Sequence, residues 1–205
     1  MLMNRSIINL ITEAAAGKGL TIFDIDETLF KTKAKINVLA NGKVVRTLDN
    51  IQFNTYKLKS GETFDFGQFK SAEIFNKTST PIGNMIAKAK QIIKNSTKKG
   101  SKVIIVTARG DMDDKELFIR TFEAQGIDMS DVYIERAGNI GLDNSAKNKE
   151  VVFRKYLDTG KYKRIRLFDD AIDNLKALTS LKDEYPDVAF EAYRVNKNGS
   201  ISTVK

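Results

Sequence analysis

Short apolar runs alternate along the chain with polar loops and with stretches of helical periodicity. The runs are Leu20–Phe23, Val103–Val106, Val132–Ile134, Arg164–Phe168 and Val188–Val195. Continuous apolar runs of this length are typical of strands buried on both faces, as in a parallel sheet. Helical spacing is found between them, in segments 82–97, 113–125, 147–157 and 173–181. This alternation predicts an α/β fold with a doubly wound, parallel, Rossmann-like sheet, whose ligand site lies at the carboxyl ends of the strands.

Residues 34–69 interrupt this alternation and read as β-rich. Asn41-Gly42 stands between two strand-like arms, which is a strong signal for a two-residue hairpin turn. The stretch YKLKSGETFDF predicts a second hairpin around Ser60-Gly61. We therefore expect a β-rich insertion, residues 34–69, above the carboxyl edge of a core domain formed by residues 19–33 and 70–205. Its aromatic residues would either form its own core or stack on nucleic-acid bases; they are Tyr56, Phe64, Phe66 and Phe69.

Residues 1–18 have apolar positions at helical spacing and predict a short amphipathic helix. They contain no continuous apolar stretch of the kind that a secretory signal requires. No apolar run in the chain approaches the roughly 20 residues that span a bilayer. The hydrophobic content of 41% and the charged content of 29% are ordinary for a globular protein. We expect a cytoplasmic protein that does not associate with a membrane.

The chain of 205 residues contains no Cys and no His. Disulfides, zinc–thiolate sites, cysteine nucleophiles, Ser-His-Asp catalysis and His-ligated metals are therefore excluded. Any catalysis must use carboxylates, lysine and hydroxyl groups, together with a cation that prefers oxygen ligands, such as Mg²⁺. The formal net charge is +8, and basic residues concentrate in Lys88–Lys102 and Lys147–Arg166. These segments predict either attraction to a polyanion or ordinary solvated helix faces.

Two aspartates separated by one residue, Asp24 and Asp26, directly follow the first apolar run. If the chain turns at the end of the strand, both carboxylates can face the crevice. One could attack phosphorus while the other transfers a proton to the leaving oxygen. The alternative is an ordinary polar loop or a helix cap.

A hydroxyl residue follows the second run, in Thr107-Ala108-Arg109. A hydroxyl and backbone N–H groups at a strand-to-helix turn suit a phosphoryl oxygen, although such a residue is more often a helix cap. Farther along, Lys147 and Lys149 stand where a helix begins. A cation there could neutralise a nucleophile and a phosphoryl group, whereas most lysines at helix starts are exposed.

Adjacent aspartates, Asp169 and Asp170, follow the fourth run, and Asp173 lies three residues farther on. Neighbouring carboxylates after a buried strand repel each other, and a divalent cation relieves that repulsion. A helix cap would explain one of the three aspartates but not the adjacent pair.

These four signatures, in this order, resemble the motifs of the haloacid dehalogenase (HAD) superfamily. The family's first motif, DxDx[TV], is matched by Asp24, Asp26 and Thr28. Thr107 matches the second motif, Lys149 the lysine motif with Lys147 as its rival, and Asp169, Asp170 and Asp173 the acidic motif. The resemblance covers the chain from about Leu20 to its end. The pattern also looks like uncharacterised HAD-like proteins of tailed phages and like small polynucleotide and acid phosphatases.

The resemblance implies a HAD-type sheet and a Mg²⁺-dependent phosphatase that forms an aspartyl-phosphate. Asp24 would be the nucleophile and Asp26 the general acid and base. Mg²⁺ would be bound by Asp24, the backbone carbonyl of Asp26, and Asp170, with Asp169 or Asp173 acting directly or through water. Thr107, Ala108 and Lys149 would hold the phosphoryl oxygens, and residues 34–69 would form a cap.

Three kinds of function remain open from the sequence. The first is hydrolysis of phosphate from a nucleotide or a nucleic-acid end, which the basic charge favours. The second is hydrolysis of a small metabolite or a phosphoprotein. The third is a catalytically idle HAD-fold protein that binds nucleic acid through its basic surface. The residues carry no indication of an oligomeric state.

Overall fold

The computed structural model describes residues 17–97, 100–142 and 144–204. The predicted N-terminal helix, residues 1–18, falls almost entirely outside these ranges. The strands are β1 (Lys18–Phe23), β2 (Phe30–Lys31), β3 (Ile36–Ala40), β4 (Lys43–Leu48), β5 (Glu62–Asp65), β6 (Thr80–Pro81), β7 (Lys102–Thr107), β8 (Tyr133–Arg136), β9 (Tyr162–Asp169), β10 (Ala189–Val195) and β11 (Ile201–Val204). The α-helices are α1 (Asn50–Thr55), α2 (Gly67–Lys70), α3 (Ala72–Thr78), α4 (Gly83–Thr97), α5 (Lys115–Glu123), α6 (Ser145–Leu157) and α7 (Ile172–Thr179).

The main sheet has six strands in the order β11-β10-β9-β1-β7-β8. All neighbouring strands are parallel except β10 and β11, which pair antiparallel. The predicted α/β class is confirmed, and the strand order is compatible with a Rossmann-like fold. The expectation of a wholly parallel sheet is wrong, because β11 adds an antiparallel edge strand that was not predicted.

Two apolar layers cover the two faces of this sheet. One contains the buried faces of α3, α4 and α5, and the other contains those of α6 and α7. Side chains alternate between the layers along a strand: Phe23 belongs to the first and Ile22 to the second. This burial on both faces explains why the strands read as continuous apolar runs. Within the described residues, no helix is long and apolar enough to cross a membrane.

The strand order determines where a ligand site can form. From β1 the chain proceeds to β7 and β8 on one side, and then crosses over to β9 and β10 on the other. In doubly wound sheets, ligands bind where the order reverses, outside the carboxyl ends of the strands. Here that position lies between β1 and β9, whose register aligns Phe23 with Phe168. The residues that follow, Asp24 and Asp169, are therefore brought side by side.

Segment 34–69 contains a second, three-stranded sheet in the order β4-β3-β5. The first predicted hairpin is confirmed: β3 and β4 pair antiparallel, and both Asn41 and Gly42 have positive φ, as a type I′ turn requires. The second predicted hairpin is wrong. Segment 56–59 forms no strand, and β5 pairs with β3 instead.

The insertion also contains the helices α1 and α2, which were not predicted. A capping box holds the start of α1, since Asp49 and Gln52 each accept a hydrogen bond from the other's backbone N–H. The small core of the insertion consists of Ile36, Val38 and Leu48, packed against Phe53, Tyr56, Phe64 and Phe69. Three of the four aromatic residues considered for base stacking therefore belong to this core, and only Phe66 is largely exposed.

Candidate active site

The centre of the site is a buried lysine between two aspartates. Asp24 follows β1, Asp169 ends β9, and Lys149 projects from the second turn of α6. The Lys149 Nζ atom donates to Asp24 Oδ1 at 2.6 Å and to Asp169 Oδ2 at 2.7 Å. The lysine is 1% exposed and Asp24 is 5% exposed. A buried charge is tolerable only when it is paired in this way, so these three residues form one electrostatic unit.

Asp169 is held by further hydrogen bonds that occupy both of its oxygens. The Asn174 amide donates to Oδ1 at 2.9 Å and to Oδ2 at 3.0 Å, and the backbone N–H of Ala171 donates to Oδ1 at 2.9 Å. Together with Lys149, these donors fix the Asp169 carboxylate in one orientation. Asn174 was not among the residues expected from sequence, and an asparagine one helical turn after an aspartate pair is too common a pattern to identify alone.

Asp170 completes a group of three carboxylates. Asp24, Asp169 and Asp170 each offer an oxygen, and these oxygens lie within 4.8 Å of one another. Burial, together with the charge of Asp169, raises the pKa of Asp170 to about 7. An elevated carboxylate pKa is the expected result of crowded, partly dehydrated negative charge.

This group contains three carboxylates but only one ammonium, that of Lys149. Burial alone would lower the pKa of the Lys149 ammonium, but attraction to Asp169 and Asp24 outweighs it and raises that pKa above its ordinary value. Burial also raises the pKa of Asp24 well above the usual range, and the carboxylates of Asp169 and Asp170 add to the rise against the attraction of Lys149. One ammonium cannot balance three ionised carboxylates, and this imbalance adds to burial in raising the pKa values of Asp24 and Asp170.

Asp26 lies two residues beyond Asp24, on a tight loop. The Ile25 carbonyl accepts from the backbone N–H groups of Thr28, Leu29 and Phe30, and Glu27 adopts a positive φ of 58°. The Thr28 hydroxyl is fully buried and finds no hydrogen-bond partner among the residues that the structure describes.

The Asp26 carboxylate forms a two-pronged ion pair with Arg109, which follows β7. Arg109 Nε donates to Asp26 Oδ2 at 2.9 Å, and Nη2 donates to Oδ1 at 2.6 Å. The Arg109 side chain is almost fully buried, whereas that of Asp26 is 18% exposed. The spacing of Asp26 and Arg109 in sequence gives no sign of this contact, because 83 residues separate them.

The loop after β7 is shaped by a close approach of two backbones. The Thr107 hydroxyl is buried and accepts from the Arg109 backbone N–H at 3.1 Å. A Cβ atom on Gly138, which follows β8, would lie 2.2 Å from the Ala108 carbonyl oxygen. Asn139 accepts from the Asp111 N–H at 3.0 Å. Only glycine fits at position 138, so this residue, which the sequence reasoning missed, holds the loop in place.

Two of the residues considered from sequence lie outside the cluster. Lys147 is exposed on the first turn of α6, whereas Lys149, two residues later, is the lysine at the aspartates. Asp173 is exposed in the first turn of α7 and is not one of the three clustered carboxylates. Asp26 is also absent from that carboxylate cluster, since its side chain pairs with Arg109 instead.

The two basic segments extend away from this site. Helix α4 leads into the start of β7, whereas the site lies at the other end of that strand. The 15 residues of α4 span about 22 Å, so its last turn, with Lys94, lies near the opposite edge of the sheet. Helix α6 likewise begins at the site and leads into the start of β9. Lys98 and Lys99 lie outside the described residues.

Comparison of the chain with models of known protein families finds no match, and comparison with curated proteins finds none either.

Proposed function

We propose that this protein is a Mg²⁺-dependent hydrolase of phosphate monoesters that acts through an aspartyl-phosphate on Asp24. The observation that supports it most is the buried Asp24–Lys149 pair beside Asp169 and Asp170, at the switch point of the sheet. A purely structural role does not require three carboxylates to be crowded around one ammonium. The resemblance of the sequence motifs to those of HAD phosphatases favours the same chemistry.

In the proposed reaction, Asp24 attacks the phosphorus atom in line with the leaving group. One carboxylate oxygen is held by Lys149 at 2.6 Å, and the other forms the new bond to phosphorus. The bond between phosphorus and the ester oxygen breaks, and the departing alkoxide takes a proton from the carboxylic acid form of Asp26. For an Asp26 oxygen to carry that proton, one of its two hydrogen bonds from Arg109 must open. Asp26 then removes a proton from a water molecule, which attacks phosphorus and releases phosphate and free Asp24.

The carboxylate cluster fits a Mg²⁺ ion, which prefers oxygen ligands. Both oxygens of Asp169 already accept hydrogen bonds from Lys149, Asn174 and Ala171. We therefore assign direct binding to Asp24 and Asp170, and assign Asp169 to orienting the lysine. The bound ion would offset repulsion between the Asp24 carboxylate and the phosphate dianion.

The phosphoryl oxygens would be held by the Thr107 hydroxyl, the backbone N–H of Ala108 and the Lys149 ammonium. Thr107 is the last residue of β7 and Asp24 directly follows the neighbouring strand β1, so both lie at the same edge of the sheet. Lys149 contacts the proposed nucleophile directly, and the ammonium can shift part of its attraction to the phosphoryl group as negative charge moves there.

The substrate is proposed only as a phosphate monoester, with nucleotides and nucleic-acid ends as one class to be tested. The positive net charge favours a nucleic-acid substrate only if the basic segments lie near the site. Lys94 and the end of α6 instead lie toward the edge of the sheet opposite the site. Burial raises the pKa of Glu27, on the site loop, and the positive charges of Lys31 and Lys197 oppose that rise.

The test is a phosphatase screen with and without Mg²⁺, using p-nitrophenyl phosphate, nucleotides, sugar phosphates and oligonucleotides with terminal phosphates. Asp24→Asn should abolish turnover of every substrate that the wild type hydrolyses, because the amide keeps the shape but is not a nucleophile. Asp173→Asn is the matched control, since it removes an exposed carboxylate near the same cluster and should retain activity. Turnover in Asp24→Asn above about a tenth of wild type, an effect of only about 1.4 kcal/mol, would refute the proposal.

A further inference from the structure

Arg109 connects the acidic site to both ends of the 34–69 insertion. Besides its two bonds to Asp26, the guanidinium donates from Nη1 to the Phe69 carbonyl at 3.0 Å and from Nη2 to the Thr32 hydroxyl at 3.0 Å. Thr32 stands where the chain enters the insertion, and Phe69 stands where the chain leaves it. The buried guanidinium of Arg109 thus binds both of the segments that connect the insertion to the core.

Ring contacts and neighbouring hydrogen bonds surround this cation. The guanidinium carbon lies 4.8 Å from the ring centres of both Phe69 and Phe75, and Arg109 is only 2% exposed. The two connections are also bonded to each other, because the backbone N–H of Lys35 donates to the side chain of Gln68 at 2.9 Å. A displacement of the insertion would therefore break bonds to Arg109.

The hydrogen bonds of Arg109 leave little capacity for a direct contact with substrate. A guanidinium has five N–H groups, and the four bonds above occupy four of them with protein oxygens. Its planar fork matches a carboxylate in two places, a geometry that lysine cannot reproduce. The arginine therefore acts on the site through Asp26.

We infer that Arg109 is a positioning residue that couples the placement of the 34–69 insertion to the orientation of the Asp26 carboxylate. When the insertion occupies the position seen in the structure, its bonds hold the guanidinium in place, and the guanidinium holds the Asp26 carboxylate in one orientation. When the insertion shifts, the guanidinium is displaced and that orientation of Asp26 is lost. The catalytic part of this inference rests on the proposed function, in which Asp26 transfers the proton. The mechanical part, the link between Arg109 and the insertion, does not.

The catalytic part is tested with Arg109→Lys, which keeps the charge but loses the fork. Arg136→Lys is the matched control, because Arg136 pairs with Asp111 at 2.9 Å beside the same loop without contacting Asp26. Arg109→Lys should reduce kcat for an alkyl phosphate about tenfold more than kcat for p-nitrophenyl phosphate, whose leaving group needs little protonation. A loss of structure alone would lower both rates equally, and that result would overturn the inference.

The mechanical part is tested without substrate, by hydrogen exchange of the full chain measured by mass spectrometry. Peptides covering 32–36 and 66–72 should exchange at least about tenfold faster in Arg109→Lys than in Arg136→Lys. Asp26→Asn should show the same increase, and it serves as the second variant if Arg109→Lys fails to fold. Equal exchange in all three variants would overturn the coupling even if phosphatase activity is found. Faster exchange in a protein without phosphatase activity would instead support the coupling and count against the proposed function.

Discussion

Replacing Lys149 with methionine tests the electrostatic centre of the site directly. The substitution keeps the length and the apolar stem of the side chain but removes the ammonium, so that Asp24 and Asp169 lose the cation that they share. Removing one partner of a buried ion pair costs about 3–5 kcal/mol. The pKa of Asp24 is already raised, so this carboxylate can take up a proton, and we expect a loss near 3 kcal/mol.

A loss of about 3 kcal/mol should lower the Tm of the metal-free protein by about 6–12 °C, since each kcal/mol shifts a domain of this size by about 2–4 °C. The loss should be larger at pH 8 than at pH 5, because protonation at low pH removes the charges that lack a partner. Thermal unfolding followed by circular dichroism measures both effects. Lys147→Met, two residues earlier and exposed, should change stability by no more than about 0.5 kcal/mol. Equal shifts in the two variants would refute the reasoning.

Two further predictions concern the metal and the loop after β7. Burial and the charge of Asp169 raise the pKa of Asp170 to about 7, and Mg²⁺ requires the ionised form, so the affinity for Mg²⁺ should rise about tenfold from pH 6 to pH 8. Titration calorimetry measures this, and equal affinities at both pH values would count against Asp170 as a ligand. Gly138→Ala would place a methyl group 2.2 Å from the Ala108 carbonyl oxygen and should lower the free energy of unfolding by about 1–3 kcal/mol. In the control Gly83→Ala the new methyl group meets no neighbouring atom, so stability should be retained. A denaturant titration of both variants measures the difference.

The core strands could be predicted from sequence because burial on both faces produces continuous apolar runs. The order of these runs also indicated that Asp24 and Asp169 would meet, since parallel strands end at the same edge of the sheet. The edge strand β11 was missed because its residues are mostly exposed and carry no such run.

The insertion was predicted less well, for two physical reasons. The Asn41-Gly42 turn is specified locally by residues that tolerate positive φ, and it was predicted correctly. The partner of β5 is a matter of tertiary packing, so the local pattern around Ser60-Gly61 indicated the wrong pairing. Helix α1 had a readable signal in the capping box of Asp49 and Gln52, which the strand-like reading of the region obscured.

The contacts of Arg109 and Gly138 were beyond sequence reasoning. The bonds from Arg109 to Asp26 cross 83 residues, and the approach of Gly138 to the loop after β7 depends on two separate strand ends meeting. A single arginine or glycine in a loop has many ordinary explanations. Only the three-dimensional arrangement shows which atoms Arg109 and Gly138 contact.

The most direct test of the central claim is to search for a phosphoryl group on Asp24 during turnover. Asp26→Asn should slow hydrolysis of the intermediate while still allowing attack on p-nitrophenyl phosphate, whose leaving group needs no acid. Rapid acid quenching with Mg²⁺ present, followed by peptide mass spectrometry, should then find one phosphoryl group on the peptide that contains Asp24. Treatment with hydroxylamine should remove it, as expected for an acyl phosphate. Turnover in this variant without modification of Asp24, or with the phosphoryl group on another residue, would contradict the account.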